Sequence, residues 1–254
     1  MTQHTRRQLL TNCASAAVAA ALATPAAAAQ PQTRPDLHWR VLVLGAHPGD
    51  PEAGCGGLMA RYARQGHEVT ALYLTRGEAG VPGKTAEQAA DIRSAEALAA
   101  CRILSARPLF AGQLDGAVEA NAAREGELAK LIASVNPDIV MTQWPIDTHP
   151  DHRACASLSL GAWMRLGRKF ALYYYEVDLG RDTQCFKPTH YVDVTDAEPL
   201  KRAACMAHRS QDPEGFYTRD HVPMLAFRGM ECGRKFAEAL VHHDQSPAGT
   251  LIDL

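Results

Sequence analysis

Short continuous apolar runs alternate along this chain with longer stretches in which apolar residues recur every three or four positions, the two periods of buried strands and of helices packed on them. The clearest run, Val41 to Ala46, is rich in β-branched residues and predicts a strand, Trp39 to Gly45, buried on both faces of a parallel sheet. A helix over Gly57 to Gln65, ended by Gly66, and a strand over His67 to Leu74 follow. Arg76 to Thr85, with three glycines and a proline, reads as a loop, and Ala86 to Leu104 as a long helix. A strand at Pro108 to Ala111, a helix at Asn121 to Val135 and a strand at Asp138 to Thr142 continue the alternation. A helix at His152 to Leu166, strands at Leu172 to Val177 and His190 to Val194, and a helix at Ala197 to His208 complete it. Strand, helix and strand at this spacing build right-handed βαβ units. The expected fold class is therefore α/β, a Rossmann-like three-layer sandwich with a mostly parallel central sheet.

Residues 1–29 stand outside this pattern. Arg6-Arg7 within Thr5 to Leu10, a weakly apolar alanine-rich stretch and Ala27-Ala28-Ala29 read as a twin-arginine export signal cleaved after Ala29. Residues 30–38 then form a proline-containing linker and 39–254 one folded domain. An uncleaved anchor is the other reading of the leader, but Asn12, Ser15 and Pro25 interrupt it. No other run approaches the roughly 18 apolar residues of a membrane span. A periplasmic or secreted protein without stable membrane insertion is expected. Losing the two leader arginines leaves 24 basic against 28 acidic residues, a net of −4, scattered rather than in blocks, which excludes nucleic acid as a partner. Six cysteines remain, an even number that an oxidising compartment permits to pair. There is no CxxC, however, and Cys101 and Cys155 fall in apolar helical patterns where buried thiols are common.

Two proline-stiffened clusters carry the candidate chemistry. His47-Pro48-Gly49-Asp50 directly follows the first strand, and His149-Pro150-Asp151-His152 opens a helix after the strand at Asp138 to Thr142, with Asp151 placed to cap it. Ligands of open α/β sheets bind at the carboxyl ends of strands, so both clusters fall where a site is expected. Zinc in a catalytic site takes three nitrogen or oxygen ligands and keeps a position open, and His47, Asp50 and His152 supply such a set. The bland alternative is that these histidines only hydrogen-bond nearby backbone. The glycines at 45, 49, 54, 56 and 57 do not make a phosphate loop, because neither GxGxxG nor GxxxxGK[ST] occurs. No GxSxG exists to supply a serine nucleophile.

Ala46-His47-Pro48-Gly49-Asp50-Pro51-Glu52, Gly54-Cys55-Gly56-Gly57, Leu74-Thr75-Arg76-Gly77-Glu78 and His149-Pro150-Asp151-His152 together resemble the PIG-L-like (LmbE-like) N-acetylglucosaminyl deacetylases. The likeness continues through Lys201 to Gln211 and the ending Arg228-Gly229 through Ala239. It implies a zinc-dependent hydrolase of N-acetyl groups on amino sugars, with His47, Asp50 and His152 as metal ligands. It also implies that protonated His149 steadies the oxyanion or protonates the leaving amine, and that Arg93 and Asp115 contact a small-molecule or glycan substrate. An oligomer is compatible with the same reading.

One departure from the family pattern stands out: Gly49 occupies the position of the carboxylate that serves as general base. Three carboxylates lie near enough in sequence to substitute, with Asp151 and Asp147 ranked ahead of Glu52. Asp151 is otherwise a helix cap or an orienter of His149, Asp147 a solvated loop residue, and Glu52 a favourable charge at a helix N-terminus. Arg93 otherwise pairs with Glu96, and Asp115 is otherwise a turn residue before Gly116. His208 reads as a helix end, and Tyr173-Tyr174-Tyr175 as a strand that can also offer an aromatic platform. The rival functions are an amidase acting on another small amide, such as a sugar-thiol conjugate, and a metal- and glycan-binding protein that has lost turnover with its base. A 2-His-1-carboxylate set serves iron as well as zinc.

Overall fold

The computed structural model describes residues 38–177, 181–247 and 251. The chain divides into two units, Met1–Leu37 and His38–Leu254, and the expected export signal and nearly all of the expected linker lie outside the described residues. The second unit is built on β1 (Arg40–Gly45), α1 (Asp50–Arg64), β2 (Glu68–Tyr73), α2 (Ala86–Ile103), β3 (Arg107–Phe110), α3 (Ala122–Val135), β4 (Ile139–Gln143) and α4 (Pro150–Arg165). It continues with β5 (Ala171–Tyr175), β6 (His190–Asp193), α5 (Glu198–Met206), α6 (Pro213–Phe216), α7 (Val222–Cys232) and β7 (Ala237–His242).

The seven strands form one sheet in the order β3-β2-β1-β4-β5-β7-β6. The first five are parallel, and β7 runs antiparallel to both β5 and β6. Strand β1 alternates its side chains between two cores. Val41 and Val43 pack with α1, α2 and α5, whereas Leu42 and Leu44 pack with α3 and α4. The three-layer α/β sandwich with a mostly parallel sheet is therefore as expected. The chain turns from β1 towards β2 and β3 on one side and towards β4 and β5 on the other, so the crevice between the ends of β1 and β4 is the topological switch point of the sheet.

Three expectations change. Helix α1 begins at Asp50, not Gly57: Gly49 is the N-cap at φ 109°, and Pro51 sits in the first turn. Gly54, Gly56 and Gly57 lie inside this helix, and at positions 54 and 57 its face packs too closely for side chains. A Cβ on Gly54 would stand 2.1 Å from Tyr175 Cδ2, and one on Gly57 would stand 2.6 Å from Val194 Cβ. Helix α4 begins at Pro150 with His149 as its N-cap, so Asp151 is not the cap. Residues beyond His208, for which the pattern predicts no element, supply α6, α7 and β7.

The tyrosines of β5 are all buried, with Tyr175 Oη donating to the Leu44 carbonyl at 2.6 Å, so they form no aromatic platform. The six cysteines from Cys55 to Cys232 are free thiols. Among the described residues, no helix is long and apolar enough to cross a membrane.

Candidate metal centre and active site

Strands β1 and β4 deliver their clusters to one place, and Gln143, the last residue of β4, ties them together. Its Oε1 accepts from Ala46 N at 3.0 Å, while its Nε2 donates to Asp50 Oδ2 at 3.0 Å. The backbone N–H of His47 donates to the same oxygen at 2.8 Å. With Asp50 thus fixed, His47 Nδ1 lies 3.3 Å and His152 Nε2 3.6 Å from Asp50 Oδ2. The structure brings the three expected ligands together.

The far nitrogen of each imidazole meets carboxylate. Asp147 Oδ1 lies 3.1 Å from His152 Nδ1 and accepts the His149 N–H at 2.8 Å, and its Oδ2 accepts from Thr183 Oγ1 at 3.1 Å. Behind His47, Nε2 faces Asp115 Oδ1 at 3.1 Å and Asp151 Oδ2 at 3.2 Å. Asp151 also accepts from Gly116 N at 2.7 Å and Val118 N at 3.3 Å, and Asp115 accepts from Ala79 N. A carboxylate behind each imidazole is the usual companion of histidines that ligate a metal, because it fixes ring orientation and tautomer. Donor set and backing carboxylates together fit a divalent cation.

Two other convergences share His47. One includes His149 and His152, the other Asp115 and Asp151. The first competes poorly for a cation because His149 Nδ1 is already used, accepting the Asp151 N–H at 3.2 Å as the cap of α4. The second sets Asp115 and Asp151, which also accept backbone N–H groups, against Nε2 of His47, the ring nitrogen on the far side from Asp50.

Charge follows geometry. Burial by itself would raise the Asp50 pKa, yet the adjacent His152 and His47 outweigh it and hold Asp50 far below the usual carboxylate range. Burial, followed by the neighbouring His47 and His152, lowers the pKa of His149. With the Asp151 N–H donating to Nδ1, the neutral ring carries its proton on Nε2, and the lowered pKa favours this neutral form over the protonated one expected from sequence.

These residues open onto a cavity of about 500 Å³. Its polar wall comprises His47, Asp50, Arg93, Asp115, His149 and His152, and Ala79 and Gly80 place the glycine-rich loop over it as expected. Arg93 donates to the Pro48 carbonyl, while Glu96 is engaged by Ser210, so the Arg93–Glu96 pair, the alternative to a substrate contact, is not formed. Asp115 is both a cavity residue and a support for His47. The lining also includes Ala53, Val177, Cys205, Pro213, Phe216 and His221, from segments the pattern left unassigned or read as structural.

None of the three carboxylates considered as substitutes for the base lines this cavity. Asp147 sits behind His152 and Asp151 behind His47. Glu52 is wholly buried, accepting from Tyr73 Oη at 2.5 Å and Gly49 N at 3.1 Å. Gln143, which the sequence did not mark, and His208, which it marked only as a helix end within the likeness from Lys201 to Gln211, both belong to the site. A glutamine closing an apolar strand was the only local signal for the first.

A profile of the PIG-L family, described as GlcNAc-PI de-N-acetylase, matches residues 42–163. A diacetylchitobiose deacetylase of Thermococcus kodakarensis is 27% identical over 220 residues, covering 79% of this chain and 82% of the relative. A 4-oxalmesaconate hydratase of Pseudomonas putida is 29% identical over 198 residues, covering 70% and 76%. The crystal structure of a conserved protein from Thermus thermophilus superposes with a TM-score of 0.72 at 28% identity, covering 85% of this chain and 100% of that one. With its two motif clusters joined at one switch point, the chain carries a PIG-L family domain over residues 42–163 and is similar over most of its length to a protein named as a deacetylase.

Proposed function

We propose that this protein is a zinc-dependent hydrolase that removes an N-acetyl group from an amino sugar or its conjugate, acting outside the cytoplasm after twin-arginine export. The observation that carries the reading is the meeting of His47, Asp50 and His152 on one face of a cavity, each imidazole backed by carboxylate. The name of the Thermococcus relative supports the amide substrate.

A cation held by those three residues would supply Lewis acidity towards an amide carbonyl and bring the pKa of bound water to roughly 7. The rest is done by the protein's own groups. Asp147, Asp151 and Asp115 hold the two ligand imidazoles in register. His149, neutral and with its Nδ1 engaged, points Nε2–H at the charge that develops on the carbonyl oxygen, and a well-placed donor of this kind is worth about 10²–10³ in rate. Arg93 and Asp115 lie on the cavity wall where hydroxyls of a sugar can be bound.

The test is acetate release from a panel of N-acetylated sugars and their conjugates by the purified exported protein with its metal quantified, using His152→Ala as control. Acetate release that depends on His152 is the expected result. Release at an unchanged rate from His152→Ala refutes the metal centre. Because one relative is named as a hydratase, the panel includes an unsaturated dicarboxylic acid followed by ultraviolet absorbance. Turnover of that compound without any acetate release transfers the site to hydration chemistry.

A further inference from the structure

With Gly49 in place of the expected carboxylate and Glu52, Asp147 and Asp151 turned away from the cavity, the site still needs a group that takes a proton from the attacking water. We propose that His208 is that proton acceptor. The proposal rests on the amide-hydrolase reading above.

His208 is buried, 4% exposed, yet it lines the cavity, and neither of its ring nitrogens has a hydrogen-bond partner. A buried polar group left unpaired costs about 1–3 kcal/mol, so a native structure keeps one where it has a use. Its position matches the space left at Gly49. A Cβ built on Gly49 has His208 Cγ, Cδ2 and Nδ1 as its nearest atoms, each at 3.9 Å. The imidazole therefore stands beside the volume that a side chain at position 49 would enter.

The ring is also oriented. Nε2 lies 3.6 Å from Glu52 Oε1, longer than a hydrogen bond but facing a carboxylate that Tyr73 Oη and Gly49 N hold in place. Such contacts commonly tighten when substrate binds. Nε2–H directed at Glu52 leaves the Nδ1 lone pair unengaged, in a ring whose face lies beside position 49. Base and orienting carboxylate repeat the logic of activated nucleophiles elsewhere, here with water as the nucleophile. Among the other cavity groups, His47, Asp50 and His152 belong to the proposed metal set, His149 Nδ1 to the cap of α4, and Asp115 to His47 and Ala79; His221, whose ring nitrogens are also unpartnered, packs against Phe216 and Tyr217 and is not among the atoms nearest position 49.

The step balances. The water oxygen bonds to the amide carbon as its proton passes to His208 Nδ1. The C–N bond then breaks with its electron pair on nitrogen, which takes that proton back. Carboxylic acid and amine leave, and the imidazole returns neutral.

The experiment uses zinc-loaded full-length exported protein. His208→Gln is expected to lower kcat by about 10²–10⁴ while KM and zinc content stay unchanged. Adding Gly49→Asp to that variant is expected to restore at least tenfold of the loss, a rescue that a merely structural role for His208 would not permit. Independently of turnover, ¹⁵N spectra of histidine-labelled wild type should show His208 with Nδ1 unprotonated and Nε2 carrying the proton. Retention of kcat by His208→Gln within about twofold, or an Nδ1–H tautomer, overturns the proposal even if His152→Ala abolishes acetate release. Wild type that releases no acetate from any member of the panel removes the hydrolase reading and this proposal with it. If His208→Gln does not fold, the tautomer measured on wild type decides alone.

Discussion

At Asp147 a single carboxylate separates two roles that sequence could not tell apart. Both of its oxygens are occupied, one by His152 Nδ1 and His149 N–H, the other by Thr183, so its task is to hold a ligand. Asp147→Asn should weaken zinc binding by about 10–100-fold, measured by chelator competition on the folded protein. Unchanged affinity would remove Asp147 from the metal's surroundings. His221 poses a different problem. It is fully buried against Phe216 and Tyr217, and burial, followed by the charge of Lys201, lowers its pKa to about 3. Its folded pKa lies below the unfolded value near 6.5, so between those values the unfolded chain binds more protons. Stability contributed by the neutral ring is complete above pH ~6.5 and is lost as pH falls towards ~3, at about 1.4 kcal/mol per pH unit. The Tm gap between wild type and His221→Leu should therefore shrink by roughly 4–8 °C from about pH 7 to about pH 5. A gap independent of pH would show that the ring is not held neutral. That His47, Asp50 and His152 converge was legible in sequence, since two short motifs after two apolar runs needed only strand order to meet. Gln143, His208 and the true placing of Asp151 were not, because each depends on what lies across the sheet from it.

Among the elements, α1 shows how tertiary packing overrides composition. Its glycines resemble a loop when read along the chain, yet in the fold they let the helix approach β5 and the end of β6 so closely that no Cβ fits. Gly54→Ala, which in an exposed helix would stabilise by about 1 kcal/mol, should here destabilise by about 1–3 kcal/mol or more, because Tyr175 is itself pinned to Leu44 and cannot retreat. Gly126 in α3 has no atom within 4 Å of a built Cβ, so Gly126→Ala should stabilise. Urea unfolding of both variants checks the opposite signs, and equal signs would refute the packing account. The parallel core from β1 to β5 was readable because buried strands write continuous apolar runs and helices write their own period. The segment after His208 was not readable. Its helices are short and interrupted by a π turn at Tyr217–His221, and β7 enters the sheet antiparallel between strands that precede it in the chain.

Across the whole domain, His47 and Asp50 come from the first half of the chain and His152, with much of the remaining cavity lining, from the second, so the candidate site exists only if the halves stay locked. A buried ion pair set against α1 provides one lock. Lys201 Nζ on α5 donates to the Ala53 carbonyl at 2.5 Å and to Glu238 Oε1 on β7 at 2.6 Å, and Glu238 accepts from Gly57 N and Leu58 N, each at 2.8 Å. Lys201 and Glu238 thus satisfy backbone groups within α1, the helix that Asp50 opens, and tie it to α5 and β7. Both side chains are shielded from water, so each charge depends on the other. Removing one partner of such a pair costs about 3–5 kcal/mol because the remaining charge is stranded. Lys201→Met should therefore lower Tm by about 6–20 °C, given roughly 2–4 °C per kcal/mol for a domain of this size. The pair also predicts non-additivity: Lys201→Met with Glu238→Gln should be less destabilised than the two single losses combined, since the second change removes the charge that the first one strands. Thermal unfolding of the two single variants and the double variant reads this directly, and strictly additive losses would mean that the pair does not act as a unit in joining the two halves.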